Sequence, residues 1–370
     1  MKKIVTIGGA TEDIFIQYRN TESLNLHTKI DEKTFLIFQE GAKVEVEQLS
    51  YSSGGGATNS AASFKQLGFD VISFFRLGND DSGERVLTEL GKIGINTEHV
   101  HRDPIESTGT SFILPTKSGN RVILAYRGCN KNLKEEELPF ELIKQADQLY
   151  ITSLSHPASQ LLPVITTFAK QHGIPVATNP GKSQLEEGAE LLQQSLKNIN
   201  ILILNRSEAA ICMGALIQTN PELQKKVLTT PQQLSEENVP HLLQTPLAFK
   251  SICFDAKDYF SEVLKRGPQI AVVTNGAEGV YVATGNTLYF HPSLPADIVS
   301  TVGAGDAFGS CFVGCLAHGK SITASLVAGI INASSVISKL DAKEGQLAKE
   351  ELEKKISEVD PNLLQTFSLD

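Results

Sequence analysis

Short apolar runs alternate with longer stretches of helical character along this chain. The runs are Lys3–Ile7, Val71–Phe74, Gln148–Thr152, Pro175–Thr178, Asn200–Leu204, Ile270–Thr274 and Val280–Ala283. Several are apolar throughout, which fits a parallel sheet buried on both faces, and their spacing leaves room for crossover helices. Two stretches differ: Ile14–Ser53 and Thr108–Arg127 alternate apolar and polar residues and predict antiparallel strands with one wet face. Between Met213 and Pro268, prolines punctuate helical pieces such as Glu222–Leu228 and Pro231–Leu243, predicting a helical insertion. The tail from Lys343 is rich in Glu and Lys and predicts a solvated surface helix. The pattern as a whole reads as an α/β fold.

Two helices open on glycines. In Ser300-Thr301-Val302-Gly303-Ala304-Gly305-Asp306-Ala307-Phe308, small residues run into an acid. Phe308, Cys311, Phe312 and Cys315 then recur with helical period. Backbone N–H groups at such an entrance attract an anion. An acid among them makes sense if it takes a proton from a hydroxyl attacking a phosphate held by those N–H groups. The plainer alternative is a tight turn with Asp306 complementing the helix dipole. The second entrance is Gly54-Gly55-Gly56-Ala57-Thr58-Asn59, with Ala57, Ala61 and Phe64 on one face and Gly68 as the stop. Asn59 can donate to and accept from a polyol. Gly78-Asn79-Asp80-Asp81-Ser82-Gly83 follows.

These segments resemble the two signature regions of the PfkB, or ribokinase-like, family of carbohydrate and nucleoside kinases. Further pieces fall in the family's order: Ile4–Ile7 with Gly8, Gly9 and Asp13; Asn205-Arg206-Ser207-Glu208; Thr274-Asn275-Gly276-Ala277-Glu278-Gly279; and Asn332. The resemblance implies a three-layer α/β/α sandwich with a mainly parallel sheet and a small β lid. The kinase core would be 1–13, 54–107 and 128–350, with the insertion at about 214–268, and the lid 14–53 and 108–127. Lids of two subunits often clasp in this family, so a homodimer is expected.

Residue roles follow from the same resemblance. Asp306 is the expected general base, and Gly303, Ala304 and Gly305 the anion hole. Asp13, Gly55, Gly56, Asn59 and Asp80 are expected on the acceptor side; Asp80 serves equally as a turn residue. Asn205, Thr274, Gly276, Gly279 and Asn332 are expected to bind ATP, with Asn179 a further candidate. Asn205 and Glu208 would orient a water-coordinated Mg²⁺, or form a helix-capping box, or both. Ser300 stands where the family carries an acid of a monovalent-cation site, so weak or absent K⁺ stimulation is expected. Gly56 stands where ribokinases carry Lys, which favours a neutral acceptor. A free sugar, ribose- or fructose-like, is the first choice. The alternatives are an adenosine-like nucleoside, on which Phe15, Phe35 and Phe38 would stack, and a catalytically weak sugar- or nucleotide-binding protein on the same scaffold.

Composition narrows the classes. The chain has 370 residues, 41% hydrophobic and 20% charged, with a formal net charge of −9. That suits a large globular core and offers no basic patch for nucleic acid. The five cysteines form no CxxC pair or zinc spacing, and an odd count fits a reducing cytoplasm. Apolar residues after Met1-Lys2-Lys3 stop at Gly8, too soon for a signal peptide, and no run is long enough to span a membrane.

Overall fold

Nine strands form the main sheet. From one edge to the other they are Gln365–Ser368, Thr287–His291, Val280–Thr284, Ile270–Thr274, Ile201–Asn205, Val176–Thr178, Gln148–Ile151, Lys3–Ile7 and Asp70–Phe74. The computed structural model describes residues 1–18, 22–27, 32–116, 120–228, 239–250 and 252–370. From Asp70–Phe74 to Ile270–Thr274 neighbouring strands are parallel. The remaining edge is built from antiparallel pairs.

The apolar runs make these strands because both faces are covered. Val5, Leu202, Leu204 and Val273 enter one core with Ile165, Met213 and Phe260 from helices on that face. Ile4, Ile201, Ile203 and Val272 enter the other with Phe64, Phe308 and Phe312. Neighbouring residues of one strand thus serve opposite layers, as the pleat requires, giving the expected α/β/α sandwich. Cys311 and Cys315 are free and buried in the second core layer.

A four-stranded sheet stands apart, in the order Arg121–Tyr126, Gly109–Pro115, Thr11–Tyr18, Val46–Gly54. The alternating stretches do form it, but it is mixed: Thr11–Tyr18 runs parallel to Gly109–Pro115, with Asp13 opposite Ser111. Its first strand begins at Thr11, so Asp13 lies within this sheet. Glu22–His27 and Glu32–Ile37 form a separate ribbon.

The insertion is less helical than its sequence suggests. Helix Arg206–Thr219 runs through Met213, and among the described residues from there to Pro268 only Pro221–Gln224, His241–Gln244 and Ala256–Leu264 are helical. Leu247–Phe249 and Ile252–Phe254 form a hairpin, and Gly214 leaves room for the Phe249 ring. Residues 231–238 of the expected helix Pro231–Leu243 lie outside the described residues. The tail forms helix Lys349–Glu358 as expected, yet Lys343 before it is buried rather than solvated. The strands Thr287–His291 and Gln365–Ser368 were not anticipated. Among the described residues no helix is long and apolar enough to cross a membrane.

Candidate active site

In open α/β sheets ligands usually lie outside the carboxyl ends of the parallel strands. Helix Ala304–Ala317 opens on the glycine turn. Gly303 caps it in the left-handed region, φ 76°, and a Cβ on it would lie 2.2 Å from that of Ala342. Glycine is therefore required twice over, by conformation and by contact. The first-turn N–H groups of this helix have no intrahelical acceptor, and Gly305 has open space around it. Asp306 sits in the same turn, half-buried.

Asp306 is held from the other glycine-led helix, Gly56–Gln66. The Asn59 amide Nδ2 donates to Asp306 Oδ2 at 2.9 Å. Burial pushes the Asp306 carboxyl above its usual range, opposed by the Asn59 bond and the Lys343 ammonium and assisted by Asp13. The placement of helix Gly56–Gln66 depends on the glycines at its own entrance. Gly55 has φ 93°, and a Cβ there would lie 2.4 Å from the Gly9 carbonyl oxygen.

Asp13 is buried beside them. Thr11 Oγ1 donates to its Oδ1 at 2.8 Å, and its carboxyl fills the space that a Cβ on Gly54 would need, 2.1 Å from Oδ2. Burial raises its pKa against the hydroxyls of Thr11 and Ser111 and the charge of Lys343. Gly56 packs on the Thr152 side chain, 2.7 Å from where its Cβ would be.

Lys343 went unrecognised in the sequence. Its Nζ donates to Asn59 Oδ1 at 2.9 Å and to the Ser53 carbonyl. Burial lowers its pKa, while Glu89, Asp13, Asp341 and Asp306 act the other way. Behind it, Glu89 accepts from the Ser53 N–H at 2.6 Å and hydroxyl at 2.7 Å. Glycine at position 56 therefore does not leave the acceptor side without a cation, because an ammonium arrives from the far end of the chain. The available signal was a lysine set among the small residues Ala342 and Gly345, which pack against Gly303 and the Ser335–Val336 backbone.

Two expected ligand residues are otherwise engaged. Asp80 caps helix Asp81–Ile93: its Oδ1 accepts from Gly83 N at 2.8 Å and Thr108 Oγ1 at 2.6 Å, and its Oδ2 from Thr108 N at 2.8 Å. Burial would raise its pKa, but these bonds lower it. The turn role is the one realised. Asn332 is 2% exposed. Its Nδ2 donates to Ala307 O at 3.0 Å and Gln346 Oε1 at 2.7 Å, and its Oδ1 accepts from Leu347 N at 2.9 Å. Every polar position of that amide is used inside the protein, which turns the expected base-pocket residue into a brace.

The nucleotide candidates lie at neighbouring strand ends. Asn205 and Thr274 are direct partners across the sheet. Asn205 Oδ1 accepts from Glu208 N, and Glu208 Oε2 from Asn205 N, each at 2.9 Å, a reciprocal capping box. Burial pushes the Glu208 carboxyl up to about 7, Asp306 contributing in the same direction. Among the described residues no cluster of three or more His, Cys, Asp or Glu suits a metal. Mg²⁺ would therefore keep most of its waters, as this ion does, and a carboxylate reluctant to ionise alone fits beside it. Gly276, with φ 56°, faces open space, whereas Gly279, with φ 118°, is needed against the His291 carbonyl. The Asn179 amide donates to Ile203 O at 2.8 Å. Ser300 is buried, its hydroxyl 3.3 Å from Val302 N.

A family model described as pfkB family carbohydrate kinase matches residues 24–239 and 252–349. The bifunctional ribokinase/ribose-5-phosphate isomerase A of Fructilactobacillus sanfranciscensis is 25% identical over 310 residues, 83% of this chain and 47% of that protein, so the chain spans about half of it. The ribokinase of Bacillus subtilis is 24% identical over 306 residues, 82% of this chain and 87% of the relative. The structure of Arabidopsis thaliana ribokinase complexed with ribose and ATP superposes with a TM-score of 0.72 at 19% identity, covering 96% of this chain and 99% of the other.

Proposed function

Because the chain belongs to the pfkB family of carbohydrate kinases, phosphotransferases that act on a hydroxyl group, we propose that it transfers the γ-phosphate of ATP to a hydroxyl of a small neutral sugar, ribose- or fructose-like. The observation that carries this reading is the 2.9 Å contact between Asn59 and Asp306 at the mouth of the Gly303–Gly305 turn. It brings an acceptor-binding amide, a base and the first-turn N–H groups of a helix to one place.

In this reading Asp13 and Asn59 hold the sugar's hydroxyls while one hydroxyl approaches Asp306. Its proton passes to the carboxylate as its oxygen attacks the γ-phosphorus. The bond to the β-phosphate oxygen breaks and ADP leaves. The N–H groups of the Gly303-Ala304-Gly305 turn stabilise charge on the transferring phosphoryl. Thr274, Gly276 and Gly279 flank the nucleotide. Mg²⁺, held through waters by Asn205 and Glu208, would neutralise phosphate charge.

A neutral acceptor is supported by charge balance: four carboxylates, of Asp13, Glu89, Asp306 and Asp341, act on one ammonium. A sugar phosphate would meet net negative surroundings. The aromatic residues do not favour a nucleoside. Phe15 is buried against Ile113 and Val302, Phe38 packs on Tyr18, and Phe35 stands on the exposed ribbon. Exposed Leu49, Tyr51 and Leu124 on the small sheet support pairing of two lids, to be read by sedimentation.

The test is an ADP-release assay with Mg-ATP against pentoses, hexoses, sugar phosphates and nucleosides. Turnover on a neutral sugar supports the reading. Turnover confined to a nucleoside replaces it, and inertness throughout, with ligand-raised melting, leaves a binding protein.

A further inference from the structure

We infer that Lys343 is a positioning residue of this site: its ammonium fixes the Asn59 amide and thereby decides which oxygen of Asp306 is left to receive the acceptor's proton. This rests on the kinase reading above. A lysine ammonium has three donors and no acceptor. Facing it, the Asn59 amide must present Oδ1, as it does at 2.9 Å. The same amide then presents Nδ2 to Asp306, whose Oδ2 it ties at 2.9 Å, leaving Oδ1 outside that bond. Turning the amide over would set its oxygen against a carboxylate and its NH₂ against an ammonium, two repulsions in place of two bonds. Without Lys343 only the contact to Asp306 would oppose that turn.

The turn that carries Lys343 is tied to the anion hole itself. Ala342 fills the space left by the missing side chain of Gly303. Asp341 Oδ1 accepts from the Lys343 N–H at 2.8 Å. Gln346 and Leu347 are bonded to Asn332, which also holds the carbonyl of Ala307, the residue after Asp306. Lys343 itself is 8% exposed, bonded to Ser53 and Asn59, with the charges of Glu89, Asp13 and Asp306 acting on it. One loop therefore sets the height of the N–H groups, and its lysine sets the direction of the base.

The test combines kinetics with a readout that needs no turnover. Lys343→Met keeps the volume and removes the charge. The expected result is a fall in kcat of about 10²-fold, the scale of a misplaced reacting group. KM for Mg-ATP should stay near wild type, and the acid limb of the pH profile should move to higher pH, because the cation no longer favours the Asp306 carboxylate. Wild-type kcat and pH profile in Lys343→Met would overturn the inference. In wild-type protein labelled with [¹⁵N]asparagine, the Asn59 side-chain NH₂ resonances should shift as Asp306 titrates, and that shift should vanish in Asp306→Asn. No Asn59 signal that follows Asp306 overturns the inference even if Lys343→Met does not fold. Should wild-type protein phosphorylate nothing, the kinase reading fails while the resonance test still decides the Lys343–Asn59–Asp306 arrangement.

Discussion

Replacing Asn332 by alanine separates a brace from a nucleotide ligand. The substitution removes three hydrogen bonds, to Ala307 O, Gln346 Oε1 and Leu347 N. A buried bond of this kind contributes about 1 kcal/mol net, and partners left unpaired add to the loss. The expected cost is therefore about 3 kcal/mol, a sizeable part of the roughly 5–15 kcal/mol that holds a domain together. The chain has no tryptophan, so urea unfolding is best followed by far-UV circular dichroism. The midpoint should fall with the slope unchanged, since the surface exposed on unfolding is the same. KM for Mg-ATP should stay within about twofold, because a lost nucleotide hydrogen bond would cost roughly tenfold at 1.4 kcal/mol. kcat should fall, because the brace steadies the turn bearing Lys343. Unchanged stability with KM for ATP raised about tenfold or more would refute this reasoning and return the amide to the base pocket.

Other perturbations have equally definite outcomes. Gly303→Ala puts a side chain at φ 76° and 2.2 Å from Ala342; it should lose about 2–5 kcal/mol in denaturant titration together with most activity, and a variant of wild-type stability and rate would contradict the packing argument. Glu208 is raised in the folded protein from 4.5 to about 7, so the stability associated with its neutral form is present below the unfolded value and lost as pH rises through the folded one. Without Mg²⁺, Glu208→Gln, which can still accept at the cap, should therefore gain on wild type between about pH 4.5 and 7; a constant difference in melting temperature across that range would count against the buried carboxyl. Exchange of Na⁺ for K⁺ should leave turnover nearly unchanged with Ser300 in place, and a several-fold rise would show a cation site that this serine does not disable.

The sheet was legible because its strands are buried on both faces. Ile201–Asn205 and Ile270–Thr274 carry hardly a polar residue. The antiparallel edge was harder to see. Gln365–Ser368 is short, half-exposed and polar at three of its four positions, and it enters the sheet by pairing with Thr287–His291. The insertion, read as helical from the pieces Glu222–Leu228 and Pro231–Leu243, also holds the paired strands Leu247–Phe249 and Ile252–Phe254, where Phe249 packs on Gly214. The glycine entrances were readable since positive φ and close approach leave few other choices at Gly55 and Gly303. Polar side chains were not readable in the same way. Asp80 is engaged by Thr108 and Asn332 by Ala307, 28 and 25 positions away, and Lys343 is brought to Asn59 across 284 positions. No local pattern encodes such partners; the packing of Ala342 on Gly303 does.

In the proposed reaction Asp306 takes the acceptor's proton. The direct measurement is single-turnover ADP formation by Asp306→Asn beside wild type, with Mg-ATP and the acceptor found in the panel, and with binding of both ligands measured calorimetrically. The account predicts near-normal binding and a transfer rate lower by about 10²–10⁴-fold. Binding intact with transfer within about tenfold of wild type would contradict it and assign the proton to another group.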